Sequence, residues 1–196
     1  MIEETYKIGF CLAFQGSNSN ILSQGIKLAT GSKWSHCFFT CGDYMHTPVI
    51  YESADLRVYI SPLRDYLTPD SYIEFYQLSQ MKIVEYMDML EESWAEFGGQ
   101  PYGVAQLFGN AYVRMNRILG RDIDNPFKHG MGCSELIHKT FQLNSKNIFV
   151  RRKYFELMKL EKPDVVSPED LYKIVISNID MFKLAGTFKN SKIMLK

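Results

Sequence analysis

The hydrophobic pattern changes its period part-way along the chain. Up to Leu78 the apolar residues come in short runs, rich in β-branched and aromatic side chains and broken by turn-forming residues. Residues 6–14 read as a first strand, followed by a loop at Gln15-Gly16-Ser17-Asn18-Ser19. Asn20 to Ala29 fits a short helix with Ile21, Leu22, Ile26 and Ala29 on one face, ended by Gly31. Trp34 to Cys41 is a strand closed by Gly42-Asp43. Val49–Glu52 and Leu56–Ile60 pair around Ser53-Ala54-Asp55, and Ser71–Leu78 is a further strand.

Beyond that point the spacing becomes helical. Met81 to Phe97 is amphipathic and stops at Gly98-Gly99, and Pro101-Tyr102-Gly103 is a tight connector. Val104 to Leu119 reads as a second long helix ended by Gly120. Asp122 to Gly132 is a polar loop, and Cys133 to Asn144 is helical again. Ser167-Pro168-Glu169-Asp170 opens a last helix, with proline at its first position and acids in its first turn. There is no internal repeat and no linker between two cores. The expectation is therefore one α+β domain over residues 1–196. An antiparallel sheet of about five strands comes first and packs against helices that dominate the second half.

Composition narrows the function. Of 196 residues, 46% are hydrophobic and 22% charged, which excludes a disordered or collagen-like chain. The 22 Lys+Arg balance the 22 Asp+Glu, so a broad nucleic-acid surface is not expected. No apolar run reaches membrane-spanning length, and the start Met1-Ile2-Glu3-Glu4 is acidic, unlike a secretory signal. The expectation is a cytoplasmic protein, with phage or viral origin also compatible. Two basic stretches stand out. Lys146 to Lys153 reads as a solvated face, and the lysine-bearing tail from Lys183 to Lys196 could touch anionic lipid. Of the four cysteines, Cys11, Cys37 and Cys41 lie in apolar strand-like runs, where a free thiol acts as a small hydrophobe.

Cys133 has different neighbours. In Gly130-Met131-Gly132-Cys133-Ser134-Glu135-Leu136-Ile137 it opens an amphipathic helix, where the helix dipole favours a thiolate and free N–H groups can hold an oxyanion. That is the layout of a cysteine nucleophile; a buried cysteine at a helix start would account for the same letters. A nucleophile needs a base. His138 lies on another face of the same helix and should point to solvent or a partner helix. His129 and His46 are in loops. His36 sits in a strand that can hold an imidazole rigidly. Strand alternation puts His36, Phe38 and Thr40 on one face and Cys37, Phe39 and Cys41 on the other. This argues against zinc on His36, Cys37, Cys41 and His46, so no metal is expected. Glu52, at the end of the next strand, can present a carboxylate to His36.

Trp34-Ser35-His36, Tyr51-Glu52-Ser53-Ala54 leading into Arg57-Val58, Pro101-Tyr102-Gly103, Cys133-Ser134-Glu135-Leu136 and Ser167-Pro168-Glu169-Asp170-Leu171 occur in that order. Together they resemble the circularly permuted branch of the NlpC/P60 papain-like superfamily, the YiiX/YaeF-like amidases, with lecithin retinol acyltransferase more distant. The resemblance implies a papain-like α+β fold and assigns Cys133 as nucleophile, His36 as base and Glu52 as the third polar residue. Tyr102 and Ser134 take supporting roles, and no cofactor is needed. The family often has an aromatic residue just before the cysteine, where this chain has Met131-Gly132. The implied substrate bears an amide or ester: a peptide, a peptidoglycan fragment or an acyl lipid. The implied reaction is hydrolysis through a thioester. Acyl transfer on the same triad and a silent binding module are the alternatives.

Overall fold

A computed structural model describes residues 8–17, 24, 27, 31–55, 57–103, 112–113, 116, 119–121, 123, 130–143, 149–158 and 166–196. The expected helices at Asn20–Ala29 and Val104–Leu119 and the loop at Asp122–Gly132 lie largely outside the described residues. The strands are β1 (Cys11–Ser17), β2 (His36–Tyr44), β3 (Thr47–Ala54), β4 (Arg57–Pro62) and β5 (Ser71–Leu78). Helices α1 (Ile83–Phe97), α2 (Cys133–Leu143), α3 (Phe149–Leu157) and α4 (Pro168–Ser177) follow, then β6 (Phe182–Lys189) and β7 (Lys192–Leu195). All seven strands form one antiparallel sheet in the order β4-β3-β2-β1-β5-β6-β7.

Strand alternation sorts the side chains into two apolar layers. Leu12 and Phe14 of β1, Cys37 and Phe39 of β2 and Tyr51 of β3 face the helices. There they meet Met89 of α1, Leu136, Ile137 and Phe141 of α2 and Leu171 and Val175 of α4. Cys11, Ala13, Phe38, Ile50, Ile73 and Phe75 form the layer on the other face, joined by Leu63 from a 3-10 turn at Leu63–Tyr66. A polar chain threads the helix-side layer. The Tyr51 hydroxyl meets Ser93 Oγ at 3.0 Å, and Ser93 Oγ meets Thr140 Oγ1 at 2.7 Å. These buried hydroxyls have few alternative partners, so they set the register of α2 over β3 and α1.

The structure corrects several sequence expectations. Among the described residues the sheet has seven strands, not about five, because the tail from Lys183 to Lys196 adds β6 and β7 to it. Phe188 and Ile193 lock the two strands into the second layer, while the lysines occupy the alternate, outward positions. Phe188→Ala should cost about 3–5 kcal/mol, read as a shift in the denaturant midpoint. A tail lying free on a surface would tolerate the change. The first strand runs Cys11–Ser17, so Gln15-Gly16-Ser17 is strand rather than loop, with Gln15 paired to both β2 and β5 and Gly16 and Ser17 paired to β5. The strand β2 also passes through Gly42-Asp43 by way of an irregularity in its pairing with β3. The basic stretch around Arg152 and Lys153 is exposed as expected, but it rides on a helix, α3, whose Tyr154 is buried. Among the described residues no helix is long and apolar enough to cross a membrane.

Candidate active site

The helix α2 begins where three tethers meet. Gly130 has φ 97°, and a Cβ there would lie 2.6 Å from backbone atoms of Gly103. Glycine thus lets residues 130–131 lie against the connector, where Tyr102 and Met131 form a parallel bridge and Met131 N–H donates to the Pro101 carbonyl at 2.9 Å. Ser53 Oγ, beside Glu52 on β3, donates to the Met131 carbonyl at 2.5 Å. Gly132 N–H then reaches the Glu135 carboxylate at 3.4 Å, which caps the first turn from within. Cys133 is the first residue of the helix and is buried.

The charge and hydrogen-bonding influence of His36 and of Cys37, side chains from the two faces of β2, both bear on the Cys133 sulfur. Alternation does separate His36 from Cys37, and His36 is the first residue of β2. His36 Nε2 lies 2.7 Å from Glu52 Oε2. Glu52 is not an exposed strand-end residue. It lies inside β3 with no exposed surface and accepts hydrogen bonds from the Ser61 hydroxyl and, at 2.5 Å, from the Tyr66 hydroxyl.

These contacts set the protonation states. The Cys37 thiol donating to Cys133 is the largest influence holding its pKa well below the usual thiol value. Burial opposes this, and the charge and hydrogen bond of His36 reinforce it. Burial alone would lower His36, but the charge and hydrogen bond of Cys133, with those of Glu52, push it up to about 10. Burial would likewise raise Glu52. The hydrogen bond and charge of His36, then the donors Ser61 and Tyr66, keep it below its ordinary value. The directions of these three shifts favour a thiolate on Cys133, an imidazolium on His36 and a carboxylate on Glu52. By contrast, burial pushes Cys11 and Cys41 up to about 12.

The remaining candidates fall in different places. Tyr102 lies beside the site. Burial, then the charge of Cys133, raises its phenol, which keeps it protonated. The Ser134 hydroxyl is turned to the Val166 carbonyl at 2.6 Å, tying α2 to the start of α4. His138 does not point to solvent. It is fully buried beside Gln142, and burial lowers its pKa. His46 is exposed at the β2–β3 turn, at the far end of β2 from His36, and His129 lies outside the described residues. Among the described residues no group of three or more His, Cys, Asp or Glu is placed to hold a metal ion. Sequence reasoning missed Cys37, Ser61 and Tyr66. The adjacency of Cys37 to His36 was the one available hint, whereas Ser61 and Tyr66 reach Glu52 only through the β3–β4 pairing.

The fold is an α+β arrangement with an antiparallel sheet packed against helices. Among solved structures it is similar to "metalloprotein yiiX" from Escherichia coli O157:H7, with a TM-score of 0.52 and 18% identity over 84% of this chain and 91% of that one. No family model matches the sequence, and a search of curated proteins also returns no match. At that identity the likeness concerns the fold alone.

Proposed function

We propose that the chain is a cysteine hydrolase acting on an amide or ester through Cys133, His36 and Glu52. The observation that carries this reading is the His36 ring held 2.7 Å from the wholly buried Glu52 carboxylate, with Cys133 opening α2 beside it. In this reading the Cys133 thiolate attacks the carbonyl carbon, and N–H groups of the first turn of α2 hold the oxyanion. His36 gives its proton to the leaving nitrogen or oxygen as the carbon–heteroatom bond breaks, leaving a thioester. The thioester carries no charge, so His36 loses the partner that most raises its pKa. It then becomes a better base and takes a proton from water. Hydroxide adds to the thioester, and Cys133 departs as thiolate. Glu52 steadies the imidazolium in both halves of the cycle. Tyr102, protonated beside the sulfur, has a supporting place.

The pH dependence follows from the signs of the shifts. Cys133 stays a thiolate until the pH falls through its depressed value, and His36 stays protonated until the pH rises past about 10. Alkylation by iodoacetamide near pH 6 should therefore modify Cys133 more than about a hundredfold faster than Cys11, Cys37 or Cys41. Peptide mapping of the alkylated protein checks this, and equal rates in a folded sample would reject the assignment. Acyl probes captured as a Cys133 thioester, chased with water or with an added amine or lipid acceptor, separate hydrolysis from acyl transfer.

A further inference from the structure

Glu52 has no exposed surface, and an ionised carboxylate survives such burial only when hydrogen-bond donors replace water. Its donors come from three elements: His36 on β2, Ser61 on β4 and Tyr66 in the 3-10 turn. Tyr66 differs from Ser61 in touching two members of the site. Its hydroxyl donates to Glu52 Oε2, the same oxygen that meets His36 Nε2. Its ring lies over the imidazole with centroids 5.7 Å apart and planes at 16°, and it also leans on Phe38 at 5.5 Å. The turn that carries Tyr66 is anchored by the buried Leu63 and closed by Leu67 N–H donating to the Arg64 carbonyl. The phenol therefore approaches the carboxylate from a seated element and not from a free loop.

We infer that Tyr66 is a positioning residue: its hydroxyl keeps Glu52 ionised, and its ring fixes the plane in which His36 faces Cys133. This rests on the reading of Cys133 as the nucleophile. The titratable groups around the assembly are His36, Cys37, Glu52, Tyr59, Tyr102 and Cys133, with Asp55 behind Tyr59. Burial, then the charge and hydrogen bond of Glu52, pushes the Tyr66 phenol far up, so it stays a donor throughout the working range. Removing that donor destabilises ionised Glu52. On falling pH the carboxylate would protonate earlier, and the imidazolium, without its counter-charge, would pass its proton to the thiolate to leave a neutral thiol and imidazole. The acid limb of Cys133 reactivity should therefore move to higher pH.

The test is the rate of iodoacetamide alkylation at Cys133, mapped by mass spectrometry from about pH 4 to 9, with melting measured alongside. Tyr66→Phe keeps the ring and should raise the acid limb by about one pH unit with an unchanged plateau. Tyr66→Leu should raise it equally and also lower the plateau severalfold, because the stacked ring is gone. A fluorotyrosine at position 66 is a more acidic phenol and a stronger donor, so it should move the limb downward. It is the decisive variant if Tyr66→Phe does not fold. A reactive Cys133 whose limb stays in place in Tyr66→Phe or the fluorotyrosine protein overturns the role of Tyr66 alone. A wild-type Cys133 no more reactive than the other thiols overturns the nucleophile reading, and this inference with it.

Discussion

Cys133→Ala should reduce turnover of any amide or ester substrate by about 10⁴-fold or more, because the other buried thiol of the helix-side layer, Cys37, is held protonated by burial and is a poor nucleophile. The structural cost should be small. The change removes one sulfur from a buried layer that also contains Met131, Leu136 and Ile137, worth about 1 kcal/mol. Catalysis and folding therefore separate in this variant. His36 offers a second readout. With the thiolate gone, the strongest influence raising its pKa disappears, so NMR titration of the ring should show a pKa well below about 10. Cys133→Ser gives the same separation with the volume nearly kept. Wild-type turnover in Cys133→Ala would end the hydrolase reading. A collapse in melting temperature with an unreactive wild-type thiol would favour a structural cysteine in a papain-like binding module.

The second large effect is expected at Glu52. Glu52→Gln should lower turnover by about 10³-fold, since an amide can still accept one hydrogen bond but no longer offsets the imidazolium charge. It should also destabilise the fold. Ser61, Tyr66 and His36 all donate toward this carboxylate, so the amide NH₂ must face one of them, at about 1–3 kcal/mol. The sign with pH is specific. The pKa of Glu52 is lowered in the folded state, so its contribution is present above the ordinary carboxylate range and is lost as pH falls through the folded value. The stability gap between wild type and Glu52→Gln, from denaturant curves, should narrow below about pH 4. A gap that widens there, or unchanged turnover at neutral pH, would mean that Glu52 is not the ionised partner of His36.

The missed contacts have a common physical origin. Alternation assigned Cys37 and His36 to opposite faces of one strand, which holds for their packing: Phe38 lies in one layer and Phe39 in the other. A sulfur near the end of the strand is not bound by that division, and both His36 and Cys37 influence the titration of Cys133. Glu52 and Ser61 are nine residues apart in sequence, with Tyr66 five further on, and no local pattern marks either as a donor. The strands β6 and β7 were read as a basic tail because alternate lysines mask the buried positions at Phe182, Phe188 and Ile193.

Period and punctuation along the chain were enough to predict an α+β domain, the helix starting at Cys133, the helix starting after Ser167 and most strand positions in the first half. Those features are local: spacing, caps and turn residues act within a few positions. The identity of the three polar candidates was legible for the same reason, since each stands in a short segment whose chemistry is visible in its neighbours. Tertiary structure alone decided the rest. It brought the end of β2, the inside of β3 and the start of α2 to one point. It also buried Glu52 completely and supplied that carboxylate with donors from three elements. The helix start already favoured a thiolate at Cys133, but the upward shift of His36 depends on burial and on partners brought together by long-range pairing.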